Sequence, residues 1–387
     1  MKIEAGCKIK ICHIITRMDW GGSPDILRMI CERLSTDEFQ TTLITGPSLH
    51  ASRKTQKFFR AFSDQVICEP FLIRDISPFF DFFALIKLYL LIRRGKYDIV
   101  HTHTAKAGML GRIAARLAGV KVIVHTSHGH NFYGYFGPLM SGLIINLERW
   151  AASLTNKIIV LTELEKNDLI EFKVASLDKI EKIHTAVEAE EQEKAVSRDQ
   201  FDLKNDDIVI GMVGRLEPIK GVSYFIEAGE LLCGQHENLK FVLVGEGSLK
   251  KMMEERVRNK HLENRILFAG WRDDVPAIMP MFDILVLPSL NEAVGLVLIE
   301  AQRIGVPVVA AKVGGIPEMV KDGSTGILIA PENVPELVKA IEILALDKDK
   351  RIAMGEKAKA FVKDRFSPHD LVEKAAKIYK ELLKDAK

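Results

Sequence analysis

Short runs of valine, isoleucine and leucine alternate with longer amphipathic stretches along the chain, and the whole alternating series occurs twice. Near-continuous apolar runs are typical of strands buried on both faces of a parallel sheet, because helices cover both faces of such a sheet. The predicted strands are 9–16, 40–44, 98–102, 120–126, 157–161, 208–213, 240–244, 266–268, 284–287 and 306–310, and predicted helices include 24–34, 106–117 and 139–154. The sequence therefore predicts an α/β fold with two doubly wound domains.

A polar stretch marks the boundary between these domains. Residues 188–207 contain few large apolar residues, so we place the inter-domain linker there, with one helix around it. The chain has 387 residues, which fits two domains of roughly 150 residues or more. Helical apolar spacing returns over 368–383. We predict an N-terminal domain over 1–187, a second domain over 188–366 and a C-terminal helix within 367–387.

Charge and cysteine content limit the function classes. The 54 Lys and Arg residues nearly balance the 52 Asp and Glu residues, so the chain lacks the strong positive field of a nucleic-acid-binding protein. The five cysteines form no C-x-x-C pair, which argues for a reducing compartment and against a disulfide framework or a zinc ribbon. The first residues lack a signal-peptide pattern, and no apolar run is long enough for a membrane span. A cytoplasmic protein without a nucleic-acid partner is predicted.

The strongest chemical signal follows the predicted strand 284–287, where a glycine-bearing turn leads into a helix. The start of a helix exposes backbone N–H groups and a positive dipole end, which together attract an anion. Glu292 lies in the turn and Glu300 lies eight residues later. If this segment were fully helical it would span about 12 Å, near the distance from a nucleotide's ribose to a sugar beyond its diphosphate. The spacing alone leaves two solvated surface glutamates as an equal alternative.

A second candidate phosphate element follows the predicted strand 208–213. Arg215 and Lys220 stand at the carboxyl end of a parallel strand, where such sheets bind ligands. The planar guanidinium and the mobile ammonium both suit a diphosphate, although the segment is not a Walker loop. A solvated turn is the alternative.

Two glycine turns are weaker signals. Gly21 and Gly22 follow the first strand and precede the helix predicted near Pro24, so they are either a phosphate loop or a turn that needs glycine for its conformation. The segment 245–247 lacks the third glycine of a dinucleotide fingerprint, and we interpret it as a turn.

Five of the eleven histidines lie close together in the sequence: His101, His103, His125, His128 and His130. His101 and His103 share one face of a strand. A metal site is one interpretation, but no Asp or Glu lies among these histidines at ligand spacing. His128 lies past the strand end, where it can hydrogen-bond a reacting sugar or an acceptor. A core or loop histidine is the alternative.

Contact with a membrane surface has support in two segments. Basic residues at 53–57 precede Phe58, Phe59 and Phe62, and an aromatic cluster at 78–83 begins a helix that runs to Arg93 and Arg94. Aromatic residues beside Lys and Arg are typical of an interfacial helix. A helix that faces the protein core is an equal alternative.

With these motifs the sequence resembles the retaining glycosyltransferases of family 4, which have the GT-B fold of two Rossmann-like domains facing each other across a cleft. The resemblance covers nearly the whole chain. It is most specific at 292–301, which matches the family's E-x7-E element, and it continues at 214–221 and 313–329. The segments DIVHTHTAKAGMLGR and HTSHGHNFYG resemble the form found in bacterial envelope-polysaccharide transferases.

The resemblance implies a role for each matching position. Arg215 and Lys220 would hold the donor diphosphate. Backbone groups that would assist them are those of Gly22, Gly295, Leu296 and Val297. Glu292 would contact the transferred sugar, with His128 as the second catalytic residue near it. Glu300 would hold the ribose and Arg272 would border the base. The C-terminal helix would brace the first domain.

The resulting hypothesis is a metal-independent hexosyltransferase that requires no cofactor. It would move a hexose from a nucleotide diphosphate sugar, a UDP-sugar by the family's habit, to a lipid-linked or glycan acceptor in cell-envelope or exopolysaccharide synthesis. The protein would be cytoplasmic, with peripheral contact with the inner membrane surface as the alternative that the basic and aromatic segments offer. Two alternatives remain: a metal-dependent hydrolase built on the five histidines, and a sugar-nucleotide-binding protein without catalysis.

The sequence departs from the family pattern at two places. Ala293 and Val294 stand where Gly-Phe is usual, and the segment 21–24 replaces the commoner GGAE. Neither change removes a charge assigned to the donor. The departures therefore concern the identity of the sugar and the acceptor side, and leave the donor class unaffected.

Overall fold

Thirteen strands in two sheets are found in the computed structural model, which describes residues 8–19, 21–48, 51–130, 132–133, 136–188 and 195–386. The strands are β1 (Ile9–Ile15), β2 (Phe39–Thr45), β3 (Val66–Cys68), β4 (Ile99–His103), β5 (Val122–Thr126), β6 (Lys157–Val160), β7 (Ile180–Lys182), β8 (Ile208–Val213), β9 (Leu239–Val244), β10 (Ile266–Gly270), β11 (Ile284–Leu287), β12 (Val308–Ala311) and β13 (Gly326–Ile329). The pairs within each sheet are parallel.

The α-helices lie between successive strands and at the end of the chain. They are α1 (Gly22–Arg33), α2 (Arg53–Ala61), α3 (Pro78–Gly95), α4 (Ala105–Leu117), α5 (Pro138–Ser153), α6 (Glu163–Glu171), α7 (Val222–Cys233), α8 (Lys250–Asn259), α9 (Val275–Ile278), α10 (Leu296–Arg303), α11 (Ile316–Met319), α12 (Val334–Leu346), α13 (Lys348–Val362) and α14 (Pro368–Asp385). The predicted α/β class with two doubly wound domains is confirmed.

The first unit comprises Met1–Ala186 and Ser367–Lys387 and contains the sheet with strand order β3-β2-β1-β4-β5-β6-β7. The order reverses at β1, which pairs with β2 on one side and with β4 on the other. Parallel sheets bind ligands at such a switch point, beyond the carboxyl ends of the strands. In this unit that edge carries the loops that follow β1, β4 and β5.

The C-terminal helix α14 packs within this first unit. It begins with Pro368 at a position where a missing N–H costs nothing, and its apolar face buries Leu371, Ala375 and Tyr379. The Tyr379 hydroxyl lies 2.6 Å from Nδ1 of His101 on β4. The helix therefore covers the sheet face that carries His101.

The second unit, Val187–Phe366, contains the sheet with strand order β10-β9-β8-β11-β12-β13. A hydrogen bond of 3.1 Å from the Val187 N–H to the Phe366 carbonyl joins its two ends. The helix predicted around 188–207 is a single 3-10 turn at Arg198–Phe201, and residues 189–194 of the predicted linker lie outside the described residues.

Three strands escaped the sequence-based prediction: β3, β7 and β13. Each has only three or four residues and stands at an edge of its sheet, where one side has no neighbouring strand. Such short edge strands need few apolar residues, so they leave no long apolar run in the sequence.

Arg112 on α4 is a fully buried charge in the first unit. Its Nε donates to the Gly108 carbonyl at 2.9 Å, and its Nη2 donates to Oε2 of Glu148 on α5 at 3.0 Å. Oε1 of the same carboxylate lies 2.8 Å from Nη1. Because a guanidinium cannot release its proton, the Glu148 carboxylate is what makes this burial tolerable.

Glu148→Ala is therefore expected to lower the free energy of unfolding by about 3–5 kcal/mol, since it leaves the Arg112 charge buried and unpaired. Urea denaturation followed by circular dichroism measures the change. The exposed Glu181 provides a control, because Glu181→Ala should change the free energy by no more than about 0.5 kcal/mol. Equal effects of the two substitutions would contradict a supporting role for Glu148.

Candidate active site

The turn after β8 carries two cations at the carboxyl edge of the second sheet. Gly214 has a φ of 152°, and the next residue, Arg215, is exposed. Among the described residues, no hydrogen bond or ion pair engages its guanidinium. Lys220 lies in the 3-10 turn Pro218–Lys220, so both residues predicted for phosphate binding stand beyond the strand end.

This turn packs directly against the turn after β11. Gly221 has a φ of 70°, and a Cβ added there would lie 1.9 Å from the Pro288 carbonyl oxygen. The Leu290 N–H donates to the Ile219 carbonyl at 2.8 Å. Only glycine permits both this conformation and this approach, so Gly221 sets where Lys220 lies relative to the second turn.

Lys220 and Glu292 form an ion pair across these two turns. Both side chains are largely buried, with 19% and 14% of their surfaces exposed. Ser289 Oγ lies 3.4 Å from the same Glu292 oxygen that meets the Lys220 ammonium. The structure thus brings together two residues that are 72 positions apart in the chain and that were predicted as parts of one site.

Glu292 is also fixed through its backbone. The Gly315 N–H donates to the Glu292 carbonyl at 3.0 Å, and a Cβ at Gly314 would lie 1.7 Å from that carbonyl oxygen. Gly314 therefore has to be a glycine. The segment after β12 packs against the turn that carries Glu292 and fixes its backbone.

The helix α10 begins beside this carboxylate. Gly295 precedes it with a φ of 74° and, as a glycine, has no side chain that could cap the helix start. The N–H groups of Leu296 and Val297 belong to the first turn, which has no intrahelical partners for them. A Cβ at Gly295 would lie 3.4 Å from Glu292 Cγ, so the uncapped helix start and the carboxylate are neighbours.

Glu300 lies on α10, half-buried, in the second turn. The estimate of a fully helical segment from Glu292 to Glu300 is wrong, because the helix begins only at Leu296. The helical rise from Leu296 to Glu300 is about 6 Å. The rest of the distance between the Glu292 and Glu300 carboxylates is set by the non-helical turn at residues 292–295.

Arg272 follows β10 and is already paired. Its Nε and Nη2 donate to the two carboxylate oxygens of Asp274 at 2.7 and 2.6 Å. This two-pronged contact raises the pKa of Arg272 above its ordinary value. Asp274 thus sets the orientation of the guanidinium.

In the first unit, Gly22 is the first residue of α1 rather than a loop residue before a helix near Pro24. Gly21, with a φ of 151°, precedes it and offers no side-chain cap. The carboxyl edge of this sheet therefore also presents the uncapped start of a long helix.

The five clustered histidines do not form one group, which corrects the sequence-based interpretation. His101 and His103 lie on one face of β4, together with His13 of β1, whose register partner is His101. His125 lies opposite Thr102 and points to the other face, where its ring would meet a Cβ at Gly108. The cause is the two-residue period of a strand.

His130 belongs to a different contact again. Its Nε2 lies 2.8 Å from Oδ2 of Asp168 on α6, and the Tyr133 hydroxyl donates to the same oxygen at 2.6 Å. Asp168 and a second acid of α6, Glu165, are both buried. No acid lies among the five histidines at ligand spacing in the sequence, and the two acids that contact their loop come from the distant helix α6.

His128 lies past the end of β5 in the left-handed backbone region, with a φ of 58°. Its Nε2 is 3.0 Å from His103 Nδ1, whereas its Nδ1 is buried without a hydrogen-bond partner among the described residues. Burial of the ring lowers the pKa of His128 to about 3. The ring is therefore neutral near pH 7.

The carboxylate of Glu165 holds the loop that carries His128. It accepts hydrogen bonds from the Ser127 hydroxyl, from the Gly129 N–H at 3.3 Å and from the Leu161 N–H at 3.0 Å. Sequence analysis missed this residue. The T-x-x-E pattern at 162–165, in which Thr162 accepts from the Glu165 N–H at 3.2 Å, is the helix-start signal that marks it.

Three histidines are close enough to share a metal ion: one ring nitrogen each of His13, His101 and His103 lies within 4.8 Å of the others. Both nitrogens of His101 and of His103 already have hydrogen-bond partners, as does Nδ1 of His13. A metal could bind there only by breaking some of these bonds.

Family models match both units. Residues 20–191 match the model described as Glycosyltransferase Family 4, and residues 193–361 match the one described as Glycosyl transferases group 1. The chain is 34% identical over 349 residues to the Escherichia coli UDP-Gal:alpha-D-GlcNAc-diphosphoundecaprenol alpha-1,3-galactosyltransferase, which covers 88% of this chain and 89% of the relative. It is 26% identical over 321 residues to the Staphylococcus aureus capsular polysaccharide biosynthesis glycosyltransferase CapM, covering 81% and 84%.

Solved structures show the same fold. Anabaena HepE in complex with UDP and glucose superposes with a TM-score of 0.78 at 22% identity, over 96% of this chain and 100% of that one. Sucrose-phosphate synthase from Thermosynechococcus elongatus superposes with a TM-score of 0.81 at 20% identity, over 98% and 100%. At these identities the likeness concerns the fold.

The buried histidines predict that stability falls in acid. Burial lowers the pKa of His13 to about 3, whereas an unfolded chain holds a histidine near 6.5. Between these values the unfolded state binds one more proton, so stability is lost as the pH falls below about 6.5. Each such ring should cost about 1.4 kcal/mol between pH 7.5 and 5.5.

His13→Phe should therefore reduce the difference in unfolding free energy between pH 7.5 and 5.5 by about 1.4 kcal/mol, measured by urea denaturation at both values. His369→Ala is the control, because that side chain is 82% exposed. A pH difference in His13→Phe as large as in the wild type would show that His13 is not buried in its neutral form.

Proposed function

The chain belongs to glycosyltransferase family 4 and is a hexosyltransferase, and from this premise we propose that it transfers a hexose from a UDP-sugar to a lipid-linked acceptor with retention of the anomeric configuration. The product would serve cell-envelope or exopolysaccharide synthesis. The observation that carries the proposal is the Lys220–Glu292 pair beside the uncapped start of α10. The alternatives of a metal-dependent hydrolase and of a binding protein without catalysis find no support in the comparisons.

The cationic part of this site fits the leaving diphosphate. When the bond between the anomeric carbon and the phosphate oxygen breaks, negative charge develops on the diphosphate. Arg215, Lys220 and the N–H groups at the start of α10 are positive groups placed before the reaction, so little reorganisation is needed to meet that charge. The exposed guanidinium of Arg215 has no ion pair or hydrogen bond within the described part of the chain, so a ligand can bind it without breaking a contact seen there.

The two carboxylates suit hydroxyl groups at the two ends of the donor. Glu292, oriented by Lys220 and Ser289, would accept hydrogen bonds from the transferred sugar. Glu300, one turn into α10, would accept them from the ribose. Arg272, held by Asp274, would border the base.

The reaction needs no covalent enzyme intermediate. The acceptor hydroxyl attacks the anomeric carbon on the face that the diphosphate leaves, and the departing phosphate oxygen takes the hydroxyl proton. The bond to phosphate breaks as the bond to the acceptor oxygen forms, so charge and protons balance. Gly22 at the start of α1 would approach the phosphates, and His128 would contact the reacting sugar.

The acceptor assignment draws on the relative that acts on a sugar carried by diphosphoundecaprenol, an acceptor held in a membrane. No helix among the described residues is both long and apolar enough to cross a bilayer. Because a lipid-linked acceptor lies at a membrane, we propose that apolar side chains of the first unit make peripheral contact with the cytoplasmic membrane face.

Two helices present such side chains, and a third does not. On α3, Phe79 and Phe82 are 66% and 60% exposed. On and just before α5, six large apolar residues at helical spacing are exposed: Phe136, Leu139, Met140, Leu143, Leu147 and Trp150. Phe58 of α2 is buried against Phe59 and Phe62. In the segment 53–62 the structure therefore favours the alternative, a helix that faces the protein core.

Lys220→Ala should lower kcat/KM for the UDP-sugar by about 10²–10³-fold, because it removes a cation from the leaving group and frees Glu292. Release of UDP and transfer to a lipid-linked acceptor are measured together. Lys250→Ala is the matched control, since Lys250 has a comparable exposed fraction of 24%, pairs with Glu246 at 2.5 Å in the same unit and is assigned no contact with the donor. It should change kcat/KM by less than about twofold. Normal turnover in Lys220→Ala would refute the assignment of the donor site.

The double substitution Leu139→Ser and Leu143→Ser should weaken binding to vesicles of phosphatidylglycerol and phosphatidylethanolamine several-fold in a sedimentation assay, because it removes apolar surface from α5. Ile352→Ser changes a side chain on α13 of the second unit that is about as exposed as Leu143, 54% against 52%, and should leave binding unchanged. Equal binding by all three proteins would contradict a membrane role for this helix.

A further inference from the structure

Three imidazole rings of the first unit are hydrogen-bonded in a row. His13 Nδ1 lies 3.0 Å from His103 Nε2, and His103 Nδ1 lies 3.0 Å from His128 Nε2. The row begins inside the sheet, at β1, and ends in the loop after β5. The two terminal nitrogens, His13 Nε2 and His128 Nδ1, are buried and have no hydrogen-bond partner among the described residues.

Proton counting leaves only two arrangements for this row. Burial keeps the pKa of all three rings below the ordinary histidine value, so each ring is neutral near pH 7, with one N–H and one bare nitrogen. Both hydrogen bonds form only when all three protons are on Nε2 or all three are on Nδ1. In any mixed arrangement, two N–H groups or two lone pairs face each other.

The two arrangements differ in where the unpaired N–H lies. With the protons on Nε2, the unpaired N–H belongs to His13, which is 0% exposed in the middle of the sheet. With the protons on Nδ1, it belongs to His128, at the carboxyl edge. A buried N–H without an acceptor is costly and rare, more so than a bare acceptor.

The surroundings of His13 and His128, the two ends of the row, also favour the arrangement with the unpaired N–H on His128. His128 borders a small, mainly apolar cavity that is also lined by His103, His101 and Thr126, and His13 does not line it. The His128 ring is also half-buried in the loop after β5, whereas His13 is fully buried, so the His128 end of the row is the end nearer to solvent and to a bound ligand. His101 stands apart from the row, because its two nitrogens bind Tyr379 and Thr126.

We propose that His13 and His103 are positioning residues that hold His128 as the Nδ1–H tautomer, so that His128 donates a hydrogen bond to an oxygen of the bound sugar. The role of the sugar rests on the function proposed above, whereas the tautomer follows from the row itself. In this arrangement His128 is a fixed donor. It does not remove the proton of the acceptor hydroxyl, which goes to the departing phosphate.

Substitutions at 103 separate this mechanism from mere packing. In His103→Asn, the amide nitrogen takes the place of Nδ1 and can still donate to His128 Nε2. In His103→Asp, the carboxylate can only accept, which forces the proton of His128 onto Nε2. His101→Asn is the matched control, because His101 lies on the same strand and face and is equally buried, but is not bonded to His128.

The test is ¹⁵N NMR of the full-length protein labelled in its histidine rings, at pH 7.5 and without substrate, with His128 assigned from the spectrum of His128→Asn. We expect the Nδ1–H tautomer in the wild type, in His103→Asn and in His101→Asn, and the Nε2–H tautomer in His103→Asp. An Nε2–H tautomer of His128 in the wild type would overturn the proposal by itself, whether or not any variant folds.

Kinetics provide the second readout. Loss of the donated hydrogen bond in His103→Asp should lower kcat about tenfold with a smaller change in KM, and His103→Asn should recover most of that loss. An equal loss in the Asp and Asn variants would mean that His103 acts only through packing. Since the NMR measurement needs no substrate, failure of UDP-sugar binding would refute the proposed function and leave the tautomer assignment intact.

Discussion

The parallel direction of every strand within a sheet is the constraint on which the sites depend. Because the strands of one sheet all run the same way, their carboxyl ends meet at one edge, and residues far apart in the chain become neighbours there. Lys220 and Glu292 follow β8 and β11, which are adjacent in the sheet although β9 and β10 intervene in the chain. The same rule places the loops after β1, β4 and β5 along one edge of the first sheet.

Close backbone packing then turns this proximity into defined geometry. At Gly221 and at Gly314, a single added Cβ would lie within 2 Å of a carbonyl oxygen of the facing turn. The turns can therefore be rigid without long side chains between them, and the ion pair can form with little freedom left in the backbone. In the first unit, two carboxylates have a comparable role: the buried Glu165 fixes the loop of His128, and the half-buried Glu148 balances the charge of Arg112.

The predictions from sequence succeeded where the signal is local. The buried strands, the turn with Arg215 and Lys220, and the helix start at Gly295 each lie within a few consecutive residues, and periodicity or glycine placement reveals them. They failed where the partner is distant. His13, Glu165 and Asp168 were not identified, and the histidines were grouped by closeness in sequence although β4 and β5 send His101 and His125 to opposite faces.

The amino-acid sequence by itself determined the fold class, the family and the chemical types present at the two sheet edges, because apolar periodicity and short motifs are properties of neighbouring residues. Only the tertiary structure decided which of those groups meet. The register of β1 against β4 sets the row from His13 to His103, and the pairing of β8 with β11 brings Lys220 to Glu292. These contacts depend on strand order and side-chain direction, which no short segment of the chain encodes.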